Sequence, residues 1–245
     1  MRRTCSSLPV LAAIVIAAPC GAATQCEAAS SADTPHVVEL YTSEACSTCP
    51  PVDRWISQLK GKSGFVPLAF HVDYFDHLGW KDRFASAAYT RRQKESSETN
   101  GARFIYTPQV VVDGQDRKGG VDVQSLAPLP AVLTLSMQRS GDGYHAHVHS
   151  TAKEMLQVIG YWAVTEDDLS SSVAGGENAG ATLHHDFVVR DYRKLRGFEL
   201  APGASVDLSY EPMLRGLPER PRSVVLVLSD AATGRPLQAL RLPPC

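Results

Sequence analysis

The chain has 245 residues, and its 24 Lys and Arg against 26 Asp and Glu give a formal charge of −2 at pH 7. A nucleic-acid-binding surface needs clustered Lys and Arg, so this balance argues against nucleic acid as a partner. After residue 23 no segment reaches the roughly 20 apolar residues of a membrane-spanning helix, which predicts no transmembrane segment in the mature chain.

The first 23 residues have the pattern of a secretory signal peptide. Met1-Arg2-Arg3 precede an apolar stretch from Leu8 to Ala18, and the small residues Gly21-Ala22-Ala23 follow. This order predicts cleavage after residue 23 and a periplasmic or secreted protein. Residues 1–23 contain two arginines and no acids, so the mature chain keeps 22 bases against 26 acids, a charge of −4.

Strand and helix patterns alternate from residue 36 to residue 128, after a short N-terminal segment at 24–35. In chain order the predicted elements are a strand at 37–41, a helix at 51–59, a strand at 65–72, a helix at 83–98, a strand at 109–113 and a short helix at 121–126, with room for another strand at 117–119. Buried strands that alternate with helices indicate an α/β sheet, so residues 36–128 are predicted to be an α/β domain.

The helical signal mostly vanishes after Pro128-Leu129-Pro130, which we interpret as a linker. About seven short strands are predicted beyond it, at 131–138, 144–150, 156–165, 183–190, 206–210, 223–229 and 237–242. This number of strands in one segment predicts an all-β immunoglobulin-like sandwich domain over residues 129–245.

Four cysteines remain after cleavage: Cys26, Cys46, Cys49 and Cys245. An exported chain enters an oxidising compartment, where disulfides persist. Because the termini of a domain are often close in space, Cys26 and Cys245 are predicted to form a structural disulfide. The alternative is that both are unpaired ends.

The segment Cys46-Ser47-Thr48-Cys49 is the main candidate for chemistry. It follows a buried strand and precedes a helix, whose unsatisfied N–H groups favour a thiolate. Pro50 and Pro51 lack N–H donors and fit only the first turn, so the helix must begin close to Cys49. We predict that Cys46 is the attacking thiol and that Cys49 is the resolving thiol.

Other interpretations of this motif stay open. The two cysteines could be half of a zinc site. No second cysteine pair stands at the spacing found in zinc fingers, so we predict no metal. An inert structural disulfide is another. Thr107-Pro108 stands just before a strand and resembles the cis-proline of thioredoxin-like folds, which implies a cis peptide bond that faces the dithiol and a Thr107 backbone presented to the substrate; the alternative is an ordinary trans proline. Glu39, in the first strand, is either a buried base for Cys49 or a solvent-facing residue.

Four ordered blocks of the chain resemble a bacterial exported family that is catalogued as domain of unknown function 1223. These blocks are Val38–Asp53, His71–Asp82, Tyr106–Gln109 and Gly176–Gly180. Phe75 stands where a tryptophan is expected. The resemblance implies a thioredoxin-like fold with an added β-rich domain. The predicted fold class is therefore an α/β thioredoxin-like domain followed by an all-β immunoglobulin-like sandwich domain.

Further polar residues have two interpretations each. His145, His147 and His149 alternate along one strand and suit copper or zinc, but a solvated strand face is favoured. His184-His185 is interpreted as a strand surface, and its nearness to the Gly-Glu-Asn loop leaves a role in the site as the alternative. The family resemblance implies that the loop Gly175–Gly180 folds over the dithiol as a specificity element; the alternative is a plain surface loop. A last group follows the second strand and either lines the site or simply packs: Asp73, Tyr74, Trp80 and Asp82.

The sequence thus favours an exported enzyme, a thiol–disulfide oxidoreductase that acts through Cys46 and Cys49 on protein or small-molecule thiols and disulfides. No cofactor is needed for this reaction. One alternative is a periplasmic copper metallochaperone that binds Cu(I) through the same two cysteines. The other is a non-catalytic binding protein with an inert disulfide. The sequence gives no oligomeric state, substrate or direction of electron flow.

Overall fold

The computed structural model describes residues 26–118, 121–214 and 220–245. The predicted signal peptide lies outside these ranges, so cleavage and export stay predictions. The described residues form 17 strands and two α-helices. Their bounds are β1 (Glu27–Ala29), β2 (Asp33–Thr34), β3 (His36–Thr42), α1 (Pro50–Ser57), β4 (Phe65–His71), α2 (Ala87–Thr99), β5 (Gln109–Val112), β6 (Gln115–Asp116), β7 (Leu129–Pro130), β8 (Leu133–Ser140), β9 (Gly143–Ser150), β10 (Leu156–Glu166), β11 (Leu169–Ser172), β12 (Thr182–His185), β13 (Val188–Lys194), β14 (Phe198–Leu200), β15 (Ser205–Tyr210), β16 (Arg222–Asp230) and β17 (Pro236–Leu242). Two 3₁₀-helices, Asp76–Leu78 and Val123–Ser125, complete the set.

One mixed sheet of nine strands runs through most of the molecule. Its order is β17-β16-β10-β13-β4-β3-β5-β6, and β14 pairs with β10. Strands β3 and β4 are parallel, whereas β5 is antiparallel to β3. Strand β13 joins β4 in parallel through Val188 and Ala69, and the N–H of Ala69 donates to the carbonyl of Phe187 at 2.8 Å.

The predicted fold class, an α/β thioredoxin-like domain followed by an immunoglobulin-like sandwich, is wrong. The described chain is mostly β-structure with two α-helices, and the sheet that contains β3 and β4 continues into β13, β10, β16 and β17. The physical reason is that β4 is an inner strand, so its backbone groups need a partner on both sides. Residues from beyond position 128 supply that partner. The division of the chain into domains at residues 36–128 and 129–245 stays a prediction.

A smaller sheet, in the order β1-β8-β9-β15, packs over part of the larger one. Strand β8 alternates between buried and exposed residues, as expected of a strand with one face on a core. The core between the two sheets includes Met137 and Val148 of the smaller sheet and Trp162 and Leu226 of the larger one. Burial of each such side chain contributes about 1.5–3 kcal/mol. The predicted Cys26–Cys245 disulfide is confirmed, and Cys26 packs against this core.

The two helices cover opposite faces of the larger sheet near β3. Side chains alternate along a strand, so Tyr41 packs in the cluster that contains Tyr89 of α2, whereas Leu40 packs in the cluster that contains Ile56 of α1. Helix α2 begins later than the sequence indicates because the Ser86 side chain accepts the N–H of Ala88 and caps it there. Helix α1 begins at Pro50, directly after Cys49.

Candidate active site

Cys46 and Cys49 form a disulfide between the end of β3 and the start of α1. Their Cα atoms are 5.5 Å apart. Cys46 is 2% exposed and Cys49 is fully buried, whereas Ser47 and Thr48 between them are exposed. The Thr48 hydroxyl lies 3.4 Å from the Cys46 sulfur. The disulfide therefore lies near the surface, since the two residues between the cysteines are exposed. The two cysteines themselves are shielded from solvent.

Five ionisable side chains are buried in the segments around this disulfide. They are Glu44, Asp53, His71, Asp82 and His185, and none is more than 4% exposed. Glu44 lies two residues before Cys46. Asp53 lies one helical turn after Cys49, and its N–H donates to the Cys49 carbonyl at 3.1 Å. Strand β12 packs against α1 and brings His185 to the same place. We call these five side chains the buried acid–histidine cluster.

The imidazole of His185 lies between two carboxylates. Its Nε2 is 3.5 Å from Oε1 of Glu44, and its Nδ1 is 3.9 Å from Oδ1 of Asp53. Neither ring nitrogen completes a hydrogen bond within the described residues. The other carboxylate oxygen of Asp53 accepts the Thr42 hydroxyl at 3.1 Å. The ring also packs edge-on against the rings of His71 and Phe84, with centroids 4.9 and 5.8 Å away.

Asp82 organises the other half of the cluster. One of its oxygens lies 2.7 Å from Nδ1 of His71 and accepts the backbone N–H of Glu44 at 2.9 Å. Its second oxygen accepts the N–H of Phe84 at 2.9 Å. The indole N–H of Trp80 donates to Glu44 at 2.7 Å. These bonds fix the backbone just before Cys46. Trp80 and Asp82, two of the residues proposed from the sequence to line the site, therefore contact the segment that carries the dithiol.

The cluster shifts the pKa values of its members. Burial disfavours the imidazolium of His185, but the Asp53 and Glu44 carboxylates more than offset this and raise its pKa to about 9. Burial would raise the pKa of Glu44, yet interactions with His185 and Trp80 hold it below its usual value. The pKa of Asp82 is also lowered, because His71 and two backbone N–H groups outweigh burial. The cluster as a whole contains three carboxyl groups and two imidazoles.

The loop Gly175–Gly180 closes over the cysteine segment. A carboxylate oxygen of Glu177 accepts both the backbone N–H and the hydroxyl of Ser47, each at 2.8 Å. The side-chain amide of Asn178 donates to the carbonyls of Glu44 and Cys46, at 2.9 and 2.8 Å. The loop is therefore a cover over the segment that carries the dithiol, one of its two predicted interpretations.

Two glycines permit this close approach. A Cβ on Gly175 would lie 2.3 Å from the carbonyl oxygen of Gly79, which no side chain tolerates. Gly176 has a positive φ of 69° and would place a Cβ 3.1 Å from that of Ala45. A side chain at either position would push the loop away from the dithiol segment.

The Thr107–Pro108 peptide bond is cis, as predicted. Gln109 pairs with Tyr41, so Pro108 lies beside the end of β3, from which the chain continues to Cys46. The structure thus places Thr107 and Pro108 at the same end of the sheet as the dithiol.

Glu39 lies elsewhere. It shares a face of β3 with Tyr41, opposite the face that packs on α1. Its carboxylate accepts the hydroxyl of Tyr161 at 2.5 Å and that of Tyr41 at 3.2 Å, and it forms an ion pair with Arg92. Glu39 is therefore buried, as one of its two interpretations requires, but the structure does not bring it together with Cys49.

Some residues of the site were missed or misjudged in the sequence. His184 is exposed, as expected of a strand surface, but His185 is buried and belongs to the cluster. Glu44, Asp53 and His71 were not singled out. A signal existed, because Asp53 stands among the apolar residues of a helix and His71 ends an otherwise apolar strand, and such polar residues are unusual in buried segments.

His145, His147 and His149 lie on one face of β9. Each Nδ1 is within hydrogen-bond distance of a side-chain oxygen on β15, at 2.8–3.0 Å. Within residues 26–118, 121–214 and 220–245, no group of three or more His, Cys, Asp or Glu side chains is arranged to hold a metal ion. In the same ranges, no helix combines the length and apolar character needed to span a bilayer.

The site thus defines a β-rich protein with a shielded disulfide beside buried charges. Residues 37–228 match the family described as "Protein of unknown function (DUF1223)", and the chain belongs to that family, as the resemblance indicated. No curated protein matches the chain.

Solved structures share the fold. A protein from Agrobacterium tumefaciens, determined by a structural genomics consortium, is 23% identical with a TM-score of 0.64, over 87% of this chain and 96% of that one. HBP35 of Porphyromonas gingivalis is 15% identical with a TM-score of 0.58, over 86% of this chain and 75% of that one. At these identities the similarity concerns the fold alone.

Proposed function

We propose that this protein is an exported thiol–disulfide oxidoreductase that uses Cys46 and Cys49 on protein or small-molecule thiols and disulfides. The observation that carries the proposal is the buried acid–histidine cluster around the cysteine segment. Buried ionisable groups cost stability, and they concentrate at functional sites because burial and charge tune their pKa values. An inert structural disulfide has no need of such neighbours.

The reaction needs only the two cysteines. In the reducing direction, the Cys46 thiolate attacks a substrate disulfide, one substrate sulfur leaves, and a mixed disulfide forms. Cys49 then attacks the Cys46 sulfur, which closes the protein disulfide and releases the second substrate sulfur. The two thiol protons of the protein pass to the two released sulfurs, and two electrons pass to the substrate. The reverse sequence oxidises a substrate dithiol.

In this proposal the Asp53 carboxylate is the first acceptor of the Cys49 thiol proton, since His185, whose pKa is about 9, already carries a proton at neutral pH. Asp53 is linked to Cys49 by its backbone hydrogen bond, and its carboxylate faces the imidazole of His185. Because Cys49 is fully buried, its thiol ionises far more readily with an acceptor inside the protein than without one. In this proposal Thr107, at the same end of the sheet, presents its backbone to the substrate.

Export is part of the proposal. It is supported by the signal-peptide pattern of residues 1–23. The two disulfides agree with it, since such bonds persist in oxidising compartments.

The test is the reduction potential of the Cys46/Cys49 pair together with trapping of mixed disulfides by Cys49→Ser. The measurement uses the protein with its Cys26–Cys245 disulfide intact, and alkylation followed by peptide mass spectrometry assigns the reduced thiols to Cys46 and Cys49. A redox function predicts a potential above about −300 mV, the upper limit for typical structural disulfides, and trapped partners. The matched control Cys46→Ser, Cys49→Ser should trap none.

A potential below about −300 mV with no trapped partner would overturn the redox function in favour of an inert disulfide. Cu(I) binding by the same thiolates is the competing outcome. Tight binding by the reduced protein, lost in Cys46→Ser and without trapped thiol partners, would assign the site to metal transport instead.

A further inference from the structure

The loop that covers the dithiol carries a negative charge next to the attacking cysteine. The carboxylate of Glu177 is bound to the N–H and the hydroxyl of Ser47, the residue that follows Cys46. These two hydrogen bonds lower the pKa of Glu177, so that it is ionised at neutral pH. The exposed surface next to Cys46, formed by Ser47 and the covering loop, therefore carries a fixed carboxylate.

The loop is held in this position by more than Glu177. Asn178 donates to the carbonyls on both sides of Ala45, and the Glu177 N–H donates to the Ala45 carbonyl at 3.3 Å. The close packing of Gly175 and Gly176 against the segments around Gly79 and Ala45 adds a steric constraint. The charge thus belongs to an ordered part of the site.

The buried surroundings are also rich in acidic groups. The acid–histidine cluster holds three carboxyl groups against two imidazoles, so acidic groups outnumber basic ones behind the disulfide. Charges of one sign that line an access route attract substrates of the opposite sign and repel those of like sign. Glu177 is the member of this set that is exposed to an approaching molecule.

We propose that Glu177 is a specificity-determining residue that makes the dithiol favour substrates with positive charge next to the reacting sulfur and disfavour anionic ones. This inference rests on the proposed redox function and names the substrate class of that site. In the step concerned, the Cys46 thiolate bonds to one sulfur of a substrate disulfide, the substrate sulfur–sulfur bond breaks, and the other sulfur leaves as a thiolate.

The test compares three small disulfides that differ in charge. Cystamine is cationic, bis(2-hydroxyethyl) disulfide is neutral, and bis(2-sulfoethyl) disulfide is anionic. Each reacts with the Cys49→Ser protein at low salt, with and without Glu177→Gln, and the mixed disulfide on Cys46 is followed by mass spectrometry. The ratio of the two rate constants for each probe removes the intrinsic reactivity of that probe.

Glu177→Gln should slow the cationic probe by about three- to five-fold and speed the anionic probe by a similar factor, relative to the neutral one. Salt near 1 M should remove most of this difference, because the screening length falls to about 3 Å. Asp142→Asn, which removes one charge at the β8–β9 turn of the smaller sheet, is the matched control and should leave all three ratios equal.

Each outcome has a distinct meaning. A change shared equally by the three probes would show that Glu177 only closes the loop, which overturns charge selection and leaves the redox function standing. An equal charge effect from Asp142→Asn would overturn the role of Glu177 as well. No mixed disulfide with any probe in either protein would overturn the redox function itself.

Discussion

The Cys26–Cys245 disulfide joins residues 219 apart in sequence beside an apolar core, whereas the Cys46–Cys49 disulfide joins residues 3 apart beside buried charges. The covalent bond is the same in both regions, so the surroundings decide what it does. A long closed loop restricts the unfolded chain strongly, so the Cys26–Cys245 disulfide is expected to act mainly on stability. A short loop restricts it little, whereas neighbouring charges control thiol ionisation. The difference teaches that two disulfides of one chain can lie in surroundings suited to different roles, stabilisation for Cys26–Cys245 and, in our proposal, reaction for Cys46–Cys49.

Removal of the Cys26–Cys245 bond should have the largest effect on stability. In a chain-entropy treatment, Cys26→Ala with Cys245→Ala lowers the free energy of unfolding by roughly 5 kcal/mol, against about 2 kcal/mol for Cys46→Ala with Cys49→Ala. Urea unfolding of both double variants measures the two losses. Equal losses would break the contrast between a stabilising and a reactive disulfide.

Glu39 tests whether buried charge by itself marks the reactive region. Glu39→Gln removes the charged partner of Arg92 and should lower the free energy of unfolding by roughly 4 kcal/mol, since it leaves a largely buried guanidinium unpaired. The reaction of Cys46 with a neutral disulfide, measured in the folded protein, should keep its rate. A slowed reaction would show that Glu39 influences the reaction of Cys46. Proximity to the dithiol would then no longer distinguish the buried charges near Cys46 from those elsewhere in the sheet.

His185 should make stability depend on pH in the alkaline range. Its folded-state pKa of about 9 lies above the unfolded value near 6.5, so the protonated imidazole stabilises the fold below pH 6.5. That contribution, on the order of 3 kcal/mol, is lost as the pH rises through 9. Unfolding measured from pH 6 to pH 9.5 should show this loss in the native protein, and His185→Gln should flatten it.

The neighbouring histidine provides the control for this measurement. His184 is exposed, so His184→Gln should leave the pH dependence of the native protein in place. A flattened profile in both variants would mean that the pH dependence does not come from the buried cluster.

The smallest effect is expected on the histidine face of β9. The side chains of His147 and Asp207 are 54% and 84% exposed, and an exposed pair of this kind contributes little. His147→Ser should change the free energy of unfolding by less than about 0.5 kcal/mol. A loss above about 1 kcal/mol would show that the exposed His147–Asp207 pair stabilises the smaller sheet.

Most strands were predictable because their pattern is local. The alternation along β8 and β9 and the apolar runs of β3, β4 and β16 place these strands within about two residues of their observed bounds. The start of α1 followed from Pro50 and Pro51. The Cys46–Cys49 bond and the cis bond before Pro108 were also expected from residue type and order.

The sequence by itself indicated most of the longer strands, the helix start beside Cys49 and the candidate cysteine pairs, although its single strand at 183–190 is two strands, β12 and β13, in different sheets. Only the tertiary structure decided that β13 completes β4, that His185 meets Glu44 and Asp53, and that Glu39 turns to Arg92 instead. The physical reason is range. Periodicity, capping and proline geometry act within a few residues, whereas strand pairing and burial join residues more than a hundred positions apart, such as Glu44 and Asn178. The charged surroundings of the dithiol therefore exist only in the folded chain.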